Sequence, residues 1–276
     1  MSDGEFVLRR ILVALDASRQ SLAALEAAAD LAASMEAELL GVFVEDINLL
    51  RVASLPFARQ IRYPSAIAEP LDAAAMEREL RVKAEQARKA LATAAERAQV
   101  RWSFRVLRGT VTAEVLAAAS EADLLTLGKA GRSLTGRRLG STALAAATNA
   151  PRALLFVQEG IPFGPPVLAV YDGSRGSRGA LGAAIRLTHI VGDAMMVLIL
   201  ANAPDTARQL QEQAAQLIKG QSGQVRYRWI YSASDLVQVL TRERNGVLVL
   251  SGELIGEGLT QRLLQEVTNS LMLVGQ

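Results

Sequence analysis

The segment Leu127–Thr142, reading LGKAGRSLTGRRLGST, holds the residues best suited to chemistry. Gly128, Gly131, Gly136 and Gly140 stand in it, with Lys129, Arg132, Arg137 and Arg138 placed among them. The apolar run Asp123–Leu127 comes before, and an Ala-rich stretch with helical character comes after. Glycines let backbone N–H groups approach an anion closely, and a helix N-terminus adds unpaired donors and partial positive charge. A strand, a basic glycine-rich loop and a helix start, in that order, make a phosphate site. Ser141 and Thr142 close the segment where hydroxyls also cap helices. Asp16 is the second candidate. It ends the hydrophobic run Arg10–Leu15, where a carboxylate can accept hydrogen bonds from a ligand's hydroxyls or amine. It could equally help start the helix that follows, as could Ser18.

The elements that must position these residues are written twice. Residues 11–31, ILVALDASRQSLAALEAAADL, align without a gap on 167–187, VLAVYDGSRGSRGALGAAIRL. Asp16, Ser18 and Ser21 recur as Asp172, Ser174 and Ser177. A repeat at this distance indicates duplicated domains. Glu159–Pro166, EGIPFGPP, can hold neither helix nor sheet interior and reads as the linker. The expected organisation is residues 1–158, a linker at 159–166, and residues 167–276. Arg10–Leu15, Leu39–Val44, Val100–Leu107, Asp123–Leu127 and Ala153–Val157 read as buried strands. Helices are expected over Ser18–Met35, Asp72–Gln99, 111–120 and 141–149. Glu77–Arg81, Glu79–Lys83 and Glu85–Lys89 lace the long helix at i,i+4. Glu45–Glu69, with Pro56 and Pro64, reads as a long connection without regular structure. The second half repeats the pattern near 167–171, 195–201, 225–230, 247–251 and 271–274. Alternating β and α of this kind is an α/β fold, a parallel sheet with helices on both faces. Ligands bind such sheets at the carboxyl ends of strands where the winding reverses, which brings Asp16 and Gly128 to one crevice.

Composition removes several function classes. There is no cysteine, so disulfide and thiolate chemistry are excluded and a cytoplasmic setting is expected. His189 is the only histidine, which disfavours histidine metal sites and a Ser–His triad; it reads as a surface or core-edge residue. Met1–Glu5 is polar and acidic, unlike a secretory leader, and no apolar run reaches membrane-spanning length. Charge is nearly balanced at +2, without the basic excess of a nucleic-acid binder.

At these residues the chain resembles the universal stress protein family. The strand ending in Asp16, the run Ala-Asp-Leu-Leu-Thr-Leu-Gly at 122–128, then Gly131 and Gly140-Ser141 carry the likeness. It extends over both halves, as in a tandem-domain member. The resemblance implies two Rossmann-like domains, each an open five-stranded parallel sheet of order 3-2-1-4-5. It also implies a Gly-x2-Gly-x9-Gly-Ser/Thr loop that holds the phosphates of ATP or a related adenine nucleotide, with or without magnesium. Carried over, the cofactor-binding set is Ala14, Asp16, Val44, Leu127, Gly128, Lys129, Gly131, Arg132, Gly140, Ser141 and Thr142. Asp16 would meet the nucleoside, Val44 the adenine through its backbone, and Thr142 a phosphate. Eight residues separate Gly131 from Gly140 instead of nine, Ala14 replaces a frequent proline, and Ala130 a frequent histidine.

The second half keeps Asp172 but places Ser251 where Gly128 stands, with Glu253 and Glu257 following. Acids there would repel phosphate, so this half is expected to bind no nucleotide. The leading expectation is a stress-response protein that binds an adenine nucleotide in its first half and acts by regulation or through an unknown protein partner. A nucleotide-free scaffold and a slow ATP hydrolase are the alternatives. No Walker loop, pyrophosphatase loop or acid cluster supports efficient catalysis. The resemblance also implies that domains pair through their last strands, and the apolar Arg152–Val157 and Ser270–Val274 agree with such pairing within the chain as an internal pseudo-dimer. A homodimer of two such chains is compatible with this arrangement.

Overall fold

The computed structural model describes residues 7–62, 67–129, 141–149, 152–220, 223–243, 245–254 and 257–275. The first half runs β1 (Arg10–Ala14), α1 (Arg19–Ser34), β2 (Glu38–Asp46), α2 (Ile47–Ala53), β3 (Arg59–Arg62), β4 (Ile67–Pro70) and α3 (Ala73–Ala98). It continues with β5 (Trp102–Gly109), α4 (Val111–Ala119), β6 (Leu124–Lys129), α5 (Ser141–Asn149) and β7 (Ala153–Gln158). The second half runs β8 (Val167–Tyr171), α6 (Arg175–Val191), β9 (Ala194–Leu200), α7 (Pro204–Ile218) and β10 (Gln224–Ile230). It closes with α8 (Ala233–Arg242), β11 (Val247–Ser251), α9 (Glu257–Glu266) and β12 (Ser270–Val274).

Ten strands form one sheet in the order β10-β9-β8-β11-β12-β7-β6-β1-β2-β5. Numbered within its own half, each set of five is parallel and ordered 3-2-1-4-5. The two sets meet where β12 runs antiparallel to β7, with Leu271 opposite Phe156 and Val274 opposite Ala153. These are the two last strands expected to pair. Strands such as LLTLGK and VLVLS are buried on both faces because helices cover both. One apolar layer lies under α1, α3, α6 and α7, and the other under α4, α5, α8 and α9. The alanines of α1, among them Ala24, Ala28 and Ala32, let that helix lie close to the sheet.

Both repeated helices start in the same way. Ser18 caps α1 by accepting from the Ser21 amide (3.2 Å), and Ser174 caps α6 by accepting from Ser177 (3.1 Å). The Ser21 and Ser177 hydroxyls donate back to the cap carbonyls, each at 3.1 Å. Much of the repeated sequence is therefore helix-start chemistry.

One expectation is corrected. The Glu45–Glu69 connection is structured, carrying α2 and the antiparallel ribbon β3–β4. Asp46 caps α2 through the Asn48 amide, Ala53 is buried, and the Leu71 amide donates to Ala58 to close the ribbon's base. The prolines end structure there without preventing it, because Pro56 sits in a turn and Pro70 at a ribbon end that needs no donor. In α3 the expected pairs Glu77–Arg81 (3.5 Å), Glu79–Lys83 (2.8 Å) and Glu85–Lys89 (4.0 Å) form, and Glu85 also pairs with Arg88 through two bonds of 2.8 Å. The planar guanidinium grips both carboxylate oxygens at once, which an ammonium cannot do.

Candidate functional site

The switch point lies between β1 and β6. From β1 the chain turns through α1 to β2, and from β6 it turns through α5 to β7 on the other side. Val13 is opposite Thr126, so Asp16 and Gly128 leave the sheet together at the carboxyl edge. Val44, near the end of β2, belongs to the same edge.

Asp16 is exposed, and its Oδ1 accepts from the Ser18 amide at 3.0 Å. Partial burial raises its pKa, but hydrogen bonds from Ser18 and Ser21 outweigh that and hold the carboxyl below the usual range. Asp172 repeats the arrangement, accepting from the Ser174 amide at 2.9 Å, and burial is again outweighed by bonds from Ser174 and Ser177. Both carboxylates thus shape helix starts, whatever else they contact. A group with a lowered native pKa contributes stability above its unfolded value, 3.8 here, and loses it as pH falls through the native value. Wild-type stability is expected to fall more steeply than that of the D16N/D172N variant between about pH 5 and about pH 3. Urea midpoints at the two pH values check this, and equal slopes would refute it.

Gly128 has a packing reason of its own. A Cβ built there lies 2.3 Å from both the carbonyl carbon and the oxygen of Gln20, so the first turn of α1 rests directly on the strand. In the second half the glycine changes sides. Ser251 is equivalent to Gly128, and Gly176, equivalent to Gln20, would place a Cβ 2.3 Å from the Ser251 Oγ. The Glu253 carboxylate lies 2.7 Å from that same Cβ position. A hydroxyl and an acid thus stand against the start of α6, where Gly128 alone meets the start of α1.

The remaining predicted residues divide into three groups. Ala14 and Val44 are half-buried against the α4–α5 layer, and Leu127 is buried in it. Thr142, in the first turn of α5, shares a 3.0 Å hydrogen bond with Thr112 in the first turn of α4. Two helix starts therefore meet beside the crevice, and Thr110, the N-cap of α4, makes no side-chain cap bond. Gly131, Arg132 and Gly140 lie outside the described residues, as does the side chain of Ser141. Lys129 stands apart as a correction. Expected at the phosphates, its ammonium is instead buried against the second half, donating to the Val267 carbonyl at 2.5 Å. Sequence reasoning missed Thr112; its signal was a second hydroxyl at the predicted start of a helix.

Among the described residues, no cluster of three or more His, Asp or Glu side chains could hold a metal ion. No helix among them is long and apolar enough to cross a membrane.

Two fused 3-2-1-4-5 sheets, one with a glycine-rich segment after its fourth strand, define a tandem Rossmann-like α/β protein. Residues 8–158 match the universal stress protein family, and the chain belongs to it. Solved structures agree on the fold. A universal stress protein from Archaeoglobus fulgidus DSM 4304 is 14% identical with a TM-score of 0.71, covering 96% of this chain and 98% of its own. A functionally unknown protein from Pseudomonas aeruginosa PAO1 is 13% identical with a TM-score of 0.57, over 99% and 95% of the two chains. The cytoplasmic domain of a prokaryotic cation chloride cotransporter is 10% identical with a TM-score of 0.52, over 96% and 94%. No curated protein matches the chain.

Proposed function

We propose that the first half binds ATP or a related adenine nucleotide at the β1–β6 switch point, and that the chain acts through regulation or protein interaction. The observation that carries this reading is the juxtaposition of Asp16 with the paired starts of α4 and α5. An exposed, readily ionised carboxylate sits at the end of β1, and the starts of α4 and α5 meet through Thr112 and Thr142. The carboxylate suits a nucleoside's hydroxyls or amine, and helix-terminal N–H groups suit phosphates. Ala14 and Val44 offer an apolar surface for a base. Gly131, Arg132, Gly140 and Ser141 complete the phosphate side in this reading, without Lys129. Magnesium would enter on the nucleotide's phosphates. The second half, with Ser251 and Glu253 in the corresponding place, binds none. A cytoplasmic location fits a chain without cysteine.

Isothermal titration with ATP, ADP and AMP tests the reading. Saturable binding is expected, and none at millimolar nucleotide would refute it in favour of a nucleotide-free scaffold. Asp16→Asn keeps an oxygen to accept from the Ser18 amide while removing the charge. It should weaken ATP binding about tenfold or more with little loss of thermal stability. Unchanged affinity would remove Asp16 from the site. Phosphate release is expected to be slow at most; tens of turnovers per second would make the protein an enzyme instead.

A further inference from the structure

Lys129 ends β6 at the threshold of the glycine-rich segment, yet its side chain belongs to the other half of the molecule. Only 8% of the residue is exposed. Its Nζ donates to the carbonyls of Val267 (2.5 Å), Leu263 (3.3 Å) and Asn269 (3.4 Å). These oxygens lie in the last turn of α9 and the step into β12. A helix leaves its final carbonyls unpaired and carries partial negative charge there, so a cation is well placed. Burying an ammonium is costly unless such acceptors surround it, which makes the position hard to vacate.

The contact continues on both sides. The Lys129 carbonyl accepts from the Glu159 amide (3.2 Å), and Lys129 is opposite Gln158 in the sheet. The buried Gln158 amide donates to Ser270 Oγ (3.1 Å) across the β7–β12 junction. Asn269, 1% exposed, donates to the carbonyls of Glu243 (2.7 Å) and Asn245 (2.9 Å), tying the step from α9 into β12 to the turn before β11. The arrangement is one-sided. By sheet register the equivalent of Lys129 in the second half is Gly252, which can send no cation back.

We propose that Lys129 is a positioning residue through which the second half sets the entry of the nucleotide loop, coupling nucleotide binding to the packing of α9. This rests on the reading of the first-half crevice as a nucleotide site. With Lys129 fixed to α9, the backbone leading into the loop starts from one place. Linkage is reciprocal: if α9 packing favours the bound loop, the nucleotide must in turn favour α9 packing. A half that has lost its own cradle keeps a role as the anchor of the other.

Hydrogen exchange at residues 263–270, measured on the full chain with and without saturating ATP, reads the coupling. About fivefold slower exchange is expected with ATP bound. Lys129→Met should weaken ATP binding about fivefold by titration and abolish the ATP-dependent slowing. Unchanged or faster exchange in a wild-type chain that titrates with ATP overturns the coupling and leaves the nucleotide site standing. So does a folded K129M chain that retains the full slowing. A wild-type chain that binds no ATP overturns the nucleotide site and the coupling with it. Because the wild-type exchange measurement decides by itself, failure of K129M to fold does not rescue the proposal.

Discussion

Gly128→Ala should lower the unfolding free energy by about 3 kcal/mol, while the equivalent helix-side change, Gly176→Ala, should be nearly neutral. The difference lies in what each new methyl group meets. At Gly128 it falls 2.3 Å from the Gln20 carbonyl carbon and oxygen, which are backbone in the first turn of α1 and cannot rotate away. The helix must lift, and its buried face, including Ala24, Leu25 and Ala28, lifts with it. At Gly176 the nearest obstacles are the Ser251 Oγ and the Glu253 carboxylate, both of which can turn aside, while the Ser251 Cβ at 3.1 Å has to give only a few tenths of an ångström. The gain in helix propensity on replacing glycine, at most about 1 kcal/mol, offsets what remains. Equilibrium urea unfolding of the two variants measures both. Similar costs would mean that the backbone contact does not hold α1 in place. The double change Gly128→Ser with Gln20→Gly removes the Gln20 Cβ, 2.8 Å from the new methylene, but keeps the carbonyl, so it should recover only a minor part of the cost of Gly128→Ser, a coupling that a double-mutant cycle reads directly.

This contact shows why only part of the site could be read in advance. The alternation of buried strands with helices is a local, periodic signal, so the parallel α/β class followed from it, whereas the 3-2-1-4-5 order was implied by the family resemblance. The repeat marked Asp16 and Asp172 because capping chemistry is written in adjacent residues. Other features depend on residues far apart in the chain. Nothing near Lys129 indicates that its ammonium meets Val267, and nothing near Gly128 indicates that Gln20 lies on it. A glycine beside three others reads as part of a phosphate loop; the same glycine under a helix is a packing requirement. Both readings apply to Gly128, which weakens the glycine count as evidence and moves the weight to Asp16 and the α4–α5 starts. The Glu45–Glu69 segment was misread for a related reason. Its prolines are strong local breakers, but α2 is held by a cap at Asp46 and by Leu50 and Ala53 packing on the core, and β3 finds its partner within the segment.

The largest effect is expected at the junction of the two halves. Leu155 is fully buried in β7, with Thr126 of β6 on one side and Met272 of β12 on the other. One apolar layer crosses this point without a break, joining Ala153, Leu155 and Val157 to Met272 and Val274, and α1 and α3 to α6 and α7. Unfolding either half would expose an apolar sheet edge on the other, so the wild-type chain should unfold in one transition. The chain carries two tryptophans, Trp102 in β5 and Trp229 in β10, one at each far edge of the sheet. Fluorescence of W102F and W229F variants therefore reports each half alone, and the two urea midpoints should coincide. Leu155→Asp places a carboxylate in the shared layer, where it finds no partner, and should cost about 4 kcal/mol or more. Its midpoints should separate, with the first half unfolding earlier, and the freed edge should drive association visible by size-exclusion chromatography. Separate midpoints in the wild-type background would show that the halves fold independently despite the continuous layer. Coincident, unshifted midpoints in L155D would show that the β7–β12 seam is not what joins them.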